Sequence, residues 1–213
     1  AIRRQRQMCI RDRVDGFGVY RSLDLFSILV LVLASSQALM FTFMLILLFD
    51  SRYVTFANVM KHAAPSLVFI LLYVVSCCIE ADVCVYSLAE WRACVVHNLP
   101  LAVRTLFGVT YTVQLFVYVR LFFRKKHRYI THLKELTGEC ISKLELRWTM
   151  RAFLYALSIG IGAWVLLVCP GPIPEFSFSF LIVVFYPAFA WLYTNYHYTY
   201  CLLYTSPSPR DRG

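Results

Sequence analysis

Between Asp24 and Asp50 the chain runs for 25 residues, LFSILVLVLASSQALMFTFMLILLF, without a charged side chain. A bilayer core is about 30 Å thick, and an α-helix crosses it in about 20 apolar residues. Only a helix satisfies its own backbone polar groups over such a run once water is removed. The rest of the chain has the same character: 60% of its residues are hydrophobic and the mean hydropathy is +0.63, outside the usual range of a soluble domain. These features predict an all-α, polytopic transmembrane helix bundle. About five spans are expected, near 25–49, 65–86, 100–123, 152–169 and 176–200. The CPGPIP stretch at 169–174 separates the last two, because three prolines read as a turn.

The two ends read differently. Residues 201–205, Cys-Leu-Leu-Tyr-Thr, followed by Ser206, can be encoded by TGT CTC TTA TAC ACA TCT. The reverse complement of that string contains ATG TGT ATA AGA GAC, which encodes Met-Cys-Ile-Arg-Asp at residues 8–12. Residues 1–13 and 201–213 therefore resemble one adapter translated from opposite strands, such as transposase-based library preparation leaves. They are set aside for fold reasoning. This removes seven of 21 basic and two of 12 acidic residues, and the net charge falls from +9 to +4. A strongly basic surface, the usual footprint of nucleic-acid binding, is thereby lost, and no nucleic-acid partner is expected. The partner that composition calls for is the lipid bilayer.

Nine of the remaining fourteen Lys and Arg lie between Arg120 and Arg151, including the cluster Arg120, Arg124, Lys125, Lys126 and Arg128. The positive-inside rule places 124–150 in the cytosol. It follows that 87–99 and 170–175 lie outside and 50–64 inside. Within 124–150, Ile130, Leu133, Cys140, Ile141 and Leu144 recur near helical spacing. Two readings stay open: an amphipathic helix, breakable at Gly138, or a solvated basic loop at the membrane surface.

Glu80 and Asp82 fall in the later half of the expected 65–86 span. Ionisable groups inside a membrane face cavities, ion paths or partners. Their i, i+2 spacing puts them about 200° apart on a helix, which is not a paired-carboxylate acid–base arrangement. They are candidates to face a ligand or an ion, as is Gln114. The alternative ends the span near Ile79 and leaves both acids at the interface. Ser35, Ser36, Gln37 and Gln114 are expected to hydrogen-bond between helices, and Gly160 and Gly162 to allow close packing. Tyr186, Tyr193, Tyr196, Tyr198 and Tyr200 suit an interfacial belt, and Pro187 a kink.

Cys94 and Cys169 both fall on the expected external side, where a disulfide could join them. No cysteine or histidine has a partner at metal-ligand spacing, so no metal and no other cofactor is expected. P-loop, G-x-S-x-G, H-E-x-x-H and G-x-G-x-x-G patterns are missing, so no catalytic residue is nominated and no enzyme is expected.

At YVRLFFRKKHRYITHLKEL (residues 118–136), with a membrane helix on either side, the chain resembles the insect-type gustatory/odorant chemoreceptor superfamily over about 50 residues. The resemblance implies seven spans with a cytosolic N-terminus, and spans that run on into a cytosolic helical bundle. It further implies a plasma-membrane, oligomeric, ligand-gated cation channel for small molecules. The family's T-Y-x-x-x-x-x-Q-F motif is not present; Thr199-Tyr200 supplies two of its letters. A G-protein-coupled receptor would suit the external N-side and Cys94/Cys169, but no D-R-Y and no N-P-x-x-Y occurs. A secondary transporter using Glu80 and Asp82 as its coupling site would call for inverted repeats, and none is visible.

Overall fold

The computed structural model describes residues 23–137 and 142–205. Residues 1–13 and 206–213 of the adapter-like ends, and Gly138, Cys140 and Ile141 of the amphipathic pattern, lie outside the described residues; residues 201–205 continue the last helix. All regular structure among the described residues is helical: α1 (Ile28–Leu47), α2 (Phe56–Ile79), α3 (Leu88–Cys94), α4 (Leu99–Thr137), α5 (Ser142–Val168) and α6 (Pro172–Thr205). Five of them, all but α3, are long and apolar enough to cross a membrane. The chain is a membrane-embedded helix bundle.

Helices α1, α4 and α5 form the inner trio, with α2 packed on one side and α6 on the other. The difference shows in burial: 39% of the α1 span lies inside the bundle, but only 6% of the α2 span and 11% of the α6 span. Leu67, Val68, Leu71, Leu72 and Val75 on α2, and Phe176, Phe180, Val183 and Val184 on α6, point outward, as expected of side chains that meet lipid tails. Inside, Val30, Leu31, Phe107, Tyr111, Ala163 and Leu167 form one cluster. Leu45, Phe122, Phe153, Phe185 and Phe189 form a second toward the opposite end. The Phe122 and Phe153 rings stack with centroids 3.8 Å apart. Phe41 of α1 meets Phe185 and Phe189 of α6 edge-on, each at 4.9 Å.

The second helix departs from the sequence expectation at both ends. It starts at Phe56, nine residues before Pro65, and stops at Ile79, so Glu80 and Asp82 are outside it. Thr55 caps its start by accepting from the Asn58 amide at 3.4 Å. Pro65 therefore sits inside a 24-residue helix, where it withholds one hydrogen bond from the carbonyl four residues back. Residues 81–86 have no regular structure, and two of their carbonyls are satisfied from elsewhere in the chain. The Val85 carbonyl accepts from the Leu25 amide at 2.8 Å, and the Ala81 carbonyl accepts from Asn98 Nδ2 at 2.9 Å. The turn between α5 and α6 is also tighter than expected. Residues 169–171 alone make it, and Pro172 opens α6, a first-turn position where a missing amide hydrogen costs nothing.

Small residues let the inner helices close up. Gly160 faces Leu115 and Tyr111, and Gly162 faces Phe178. The tightest approach is at Gly108 of α4, where a Cβ would lie 2.6 Å from the Phe26 ring. Phe26 itself has φ 53, a left-handed conformation uncommon for a bulky residue. Its amide donates to the Leu167 carbonyl at 3.0 Å. The ring in its slot over Gly108 and this bond hold the turn that leads into α1. Gly108→Ala should lower the thermal unfolding midpoint in detergent, since overpacking costs about 1–3 kcal/mol and outweighs the ~1 kcal/mol helix gain of Ala. An unchanged or raised midpoint would show that the ring yields freely.

Candidate functional site

At the end of the bundle where α2 stops and α4 starts, one guanidinium is enclosed by acids. Arg104 lies in the second turn of α4 and is 1% exposed. Burial of an unpaired charge would be prohibitive, so its partners decide whether the site can exist. Arg104 Nη1 donates to Asp24 Oδ2, in the segment before α1. Nη2 donates to the Val83 carbonyl at 2.9 Å and lies 3.1 Å from Asp82 Oδ1. The second contact is an ion pair by distance without hydrogen-bond geometry, and among the described residues both Asp82 Oδ1 and Arg104 Nε lack a hydrogen-bond partner. Asp82 Oδ2 accepts from Tyr73 Oη of α2 at 2.8 Å. Two carboxylates thus share one guanidinium.

Glu80 and Asp82 lie just past the end of α2 at Ile79, and they do different things. Glu80 Oε2 accepts from the Leu99 amide at 2.8 Å, at the open N-terminus of α4. There its charge meets the positive end of the helix dipole. Asn98 caps the same helix, its Oδ1 accepting from the Leu101 amide at 3.0 Å. On the far side Glu175, 5% exposed, accepts from the Leu23 amide at 2.8 Å and ties α6 to the same corner.

Gln114 is not part of this cluster. It sits ten residues further along α4, where it and Ser66 of α2 are 3.2 Å apart and exchange hydrogen bonds through both ends of the amide. Its Nε2 also donates to the His62 carbonyl at 3.3 Å, as does Tyr118 Oη at 3.5 Å. These donors reach the turn of α2 just before Pro65, next to the Lys61 carbonyl that the proline leaves without its helical donor. Gln37 Nε2 plays the corresponding part toward α6, reaching Tyr186 Oη at 2.6 Å. Ser35 and Ser36, by contrast, bond back to the Val32 carbonyl of their own helix. Between α1, α4 and α5 a cavity of about 30 Å³, lined by Gln37, Thr42, Tyr111 and Tyr118 among others, has room for about two water molecules.

The basic cluster divides in the structure. Lys125 is turned inward: its Nζ pairs with Asp50 Oδ2 at 2.8 Å and lies 3.7 Å over the Tyr53 ring. Arg120, Arg124 and Arg128 point outward, and Lys126 is half-buried. The hydrogen bond and charge of Lys125 hold the Asp50 carboxyl below the ordinary carboxylate range. Cys94 and Cys169 are both free thiols, so the expected disulfide is not formed. Cys94 packs against the small apolar group of Leu25, Val85 and Leu101 instead, while Cys169 is exposed where α5 ends. No cluster of three metal-ligating side chains occurs among the described residues.

Arg104 and Asp24 were the members of this site that sequence reasoning passed over. The available signal was Arg104 itself, a lone cation early in an apolar run, which demands a buried anion. Nothing local says that the anion is Asp24, 80 residues earlier.

Arg104→Gln should destabilise the protein by about 3–5 kcal/mol, since it leaves two carboxylates without their cation. Adding Asp24→Asn should recover part of the loss, as thermal unfolding of the four proteins of a double-mutant cycle would show; strict additivity would rule out the pair. Asp50→Asn should lower the midpoint modestly at pH 7. Because the folded-state pKa of Asp50 is depressed, its contribution is present above the ordinary carboxylate pKa of 3.8 and is lost as pH falls through the lower folded value. The gap between the native protein and Asp50→Asn should therefore close as the pH falls from neutral into acid.

Compared with protein-family models, curated proteins and solved structures, the chain matches none.

Proposed function

We propose that the chain is part of a multi-pass chemoreceptor of the insect gustatory/odorant type, an oligomeric ligand-gated cation channel of the plasma membrane that senses small molecules. One observation carries this reading beyond membrane embedding. Helix α4 is unbroken over 39 residues, which at 1.5 Å per residue is about 58 Å, nearly twice the thickness of a bilayer core. It leaves the apolar layer and continues as helix through the basic segment to Thr137, and α5 resumes at Ser142 for the return. A span that projects into a helical bundle beyond the membrane is what the resemblance at residues 118–136 implies. In this reading the basic end is cytosolic and the Arg104 corner external. Glu80 then adds negative charge at the external mouth, where it would raise the local cation concentration.

The test is electrical. The complete protein, expressed in heterologous cells with G-protein signalling blocked, should give cation current in response to members of a small-molecule panel. Current that needs a G protein, or an N-P-x-x-Y in the rest of the transcript, would rule the channel out. Glu80→Gln should reduce conductance; unchanged conductance and ligand response would remove that acid from the mechanism.

A further inference from the structure

Of the cations at the basic end, Lys125 is consumed by Asp50 and Tyr53, while Arg120, Arg124 and Arg128 have no ion-pair partner among the described residues. Their spacing of four residues makes one stripe, each side chain about 40° round the helix from the last. Phe116, 72% exposed, and Phe123, 43% exposed, lie opposite Lys125 on α4, next to Arg120. The lipid-facing surface of α4 thus borders Arg120 and Arg124, while Arg128 is turned part of the way back, where its charge reaches Asp50.

The level of the membrane boundary at this corner is fixed independently. Asp50 is the first charge after the 25-residue apolar run, and it is bonded to Lys125. The edge of the apolar layer therefore lies near Lys125. Arg124 stands at that edge, Arg128 about one turn above it, and Arg120 about one turn inside. A side chain as long as arginine's can reach back from there to the interface. Three guanidinium groups can then converge on the headgroup zone, each with donors suited to bidentate phosphate binding.

We propose that Arg120, Arg124 and Arg128 form a docking site for the phosphate headgroup of an anionic membrane lipid, whose acyl chains lie along Phe116 and Phe123. Charge complementarity names the headgroup, and the adjoining aromatic surface names a lipid over a soluble phosphate. The site depends on membrane embedding alone and would stand if the channel reading failed.

The full chain, purified in neutral-lipid nanodiscs, can be titrated with fluorescent phosphatidylinositol 4,5-bisphosphate and with phosphatidylcholine carrying the same dye. The native protein should bind the anionic lipid selectively. Replacing all three arginines with glutamine should weaken that binding by about tenfold or more, as the summed interfacial attraction of three arginines requires. Arg124→Gln alone should give a smaller loss, which keeps the test decisive if the triple variant fails to fold. Arg52→Gln with Lys61→Gln, which removes two exposed cations beside the same end, should weaken binding less than the triple replacement does. Undiminished binding by the arginine variants, or an equal loss in the Arg52/Lys61 variant, would overturn the site. Equal competition by soluble inositol trisphosphate would show a free-phosphate site and overturn the lipid assignment.

Discussion

A single buried guanidinium sets the geometry of one end of this bundle. Arg104 cannot remain charged at 1% exposure unless anions come to it. The two that come belong to different parts of the chain. Asp24 brings the segment before α1, and Asp82 brings the non-helical segment that follows α2. Around these pairs the other corner contacts fall into place: Leu25 on Val85, Phe26 on Leu167, Leu23 on Glu175. Every one joins elements that are distant in sequence. The inner trio is thus registered at one end by charge, with Phe107, Tyr111 and Leu167 packed beside it. Its other end has a smaller counterpart in Asp50 and Lys125.

The apolar runs made the spans legible. Charge-free stretches longer than a bilayer core have few alternatives, and α1 emerged close to where its run begins and ends. The second helix was harder to read because Pro65 looks like a start signal when only local rules apply. Its real start depends on Thr55, and the turn before the proline is bonded to Gln114 and Tyr118, some fifty residues away. The same non-locality hid the site. Asp82 could be singled out as an ionisable group near a membrane, but its role depends on Tyr73 and Arg104 together. Gln114 was legible as a polar group in a span, and its partners Ser66 and His62 were not.

Lys125 shows how a cluster of like residues can conceal a division of labour. Composition counts it with Arg120, Arg124 and Arg128 as one basic patch that obeys a rule of membrane topology. Helical angle separates Lys125, which faces Asp50, from Arg120 and Arg124, which face away, with Arg128 between them. One residue stabilises the fold by pairing with Asp50 and covering Tyr53. The other three leave their charge at the perimeter.

The seam between α2 and α4 also limits how these helices can move. Its side-chain hydrogen bonds gather at one level, where Gln114 meets Ser66 and the His62 carbonyl and Tyr118 meets the same carbonyl. A slide of α2 along α4 by one helical turn would break them together. A swing about that level would leave them in place, and Pro65 lies within one residue of it. The helix is built as a rocker with a fixed pivot, not as a piston.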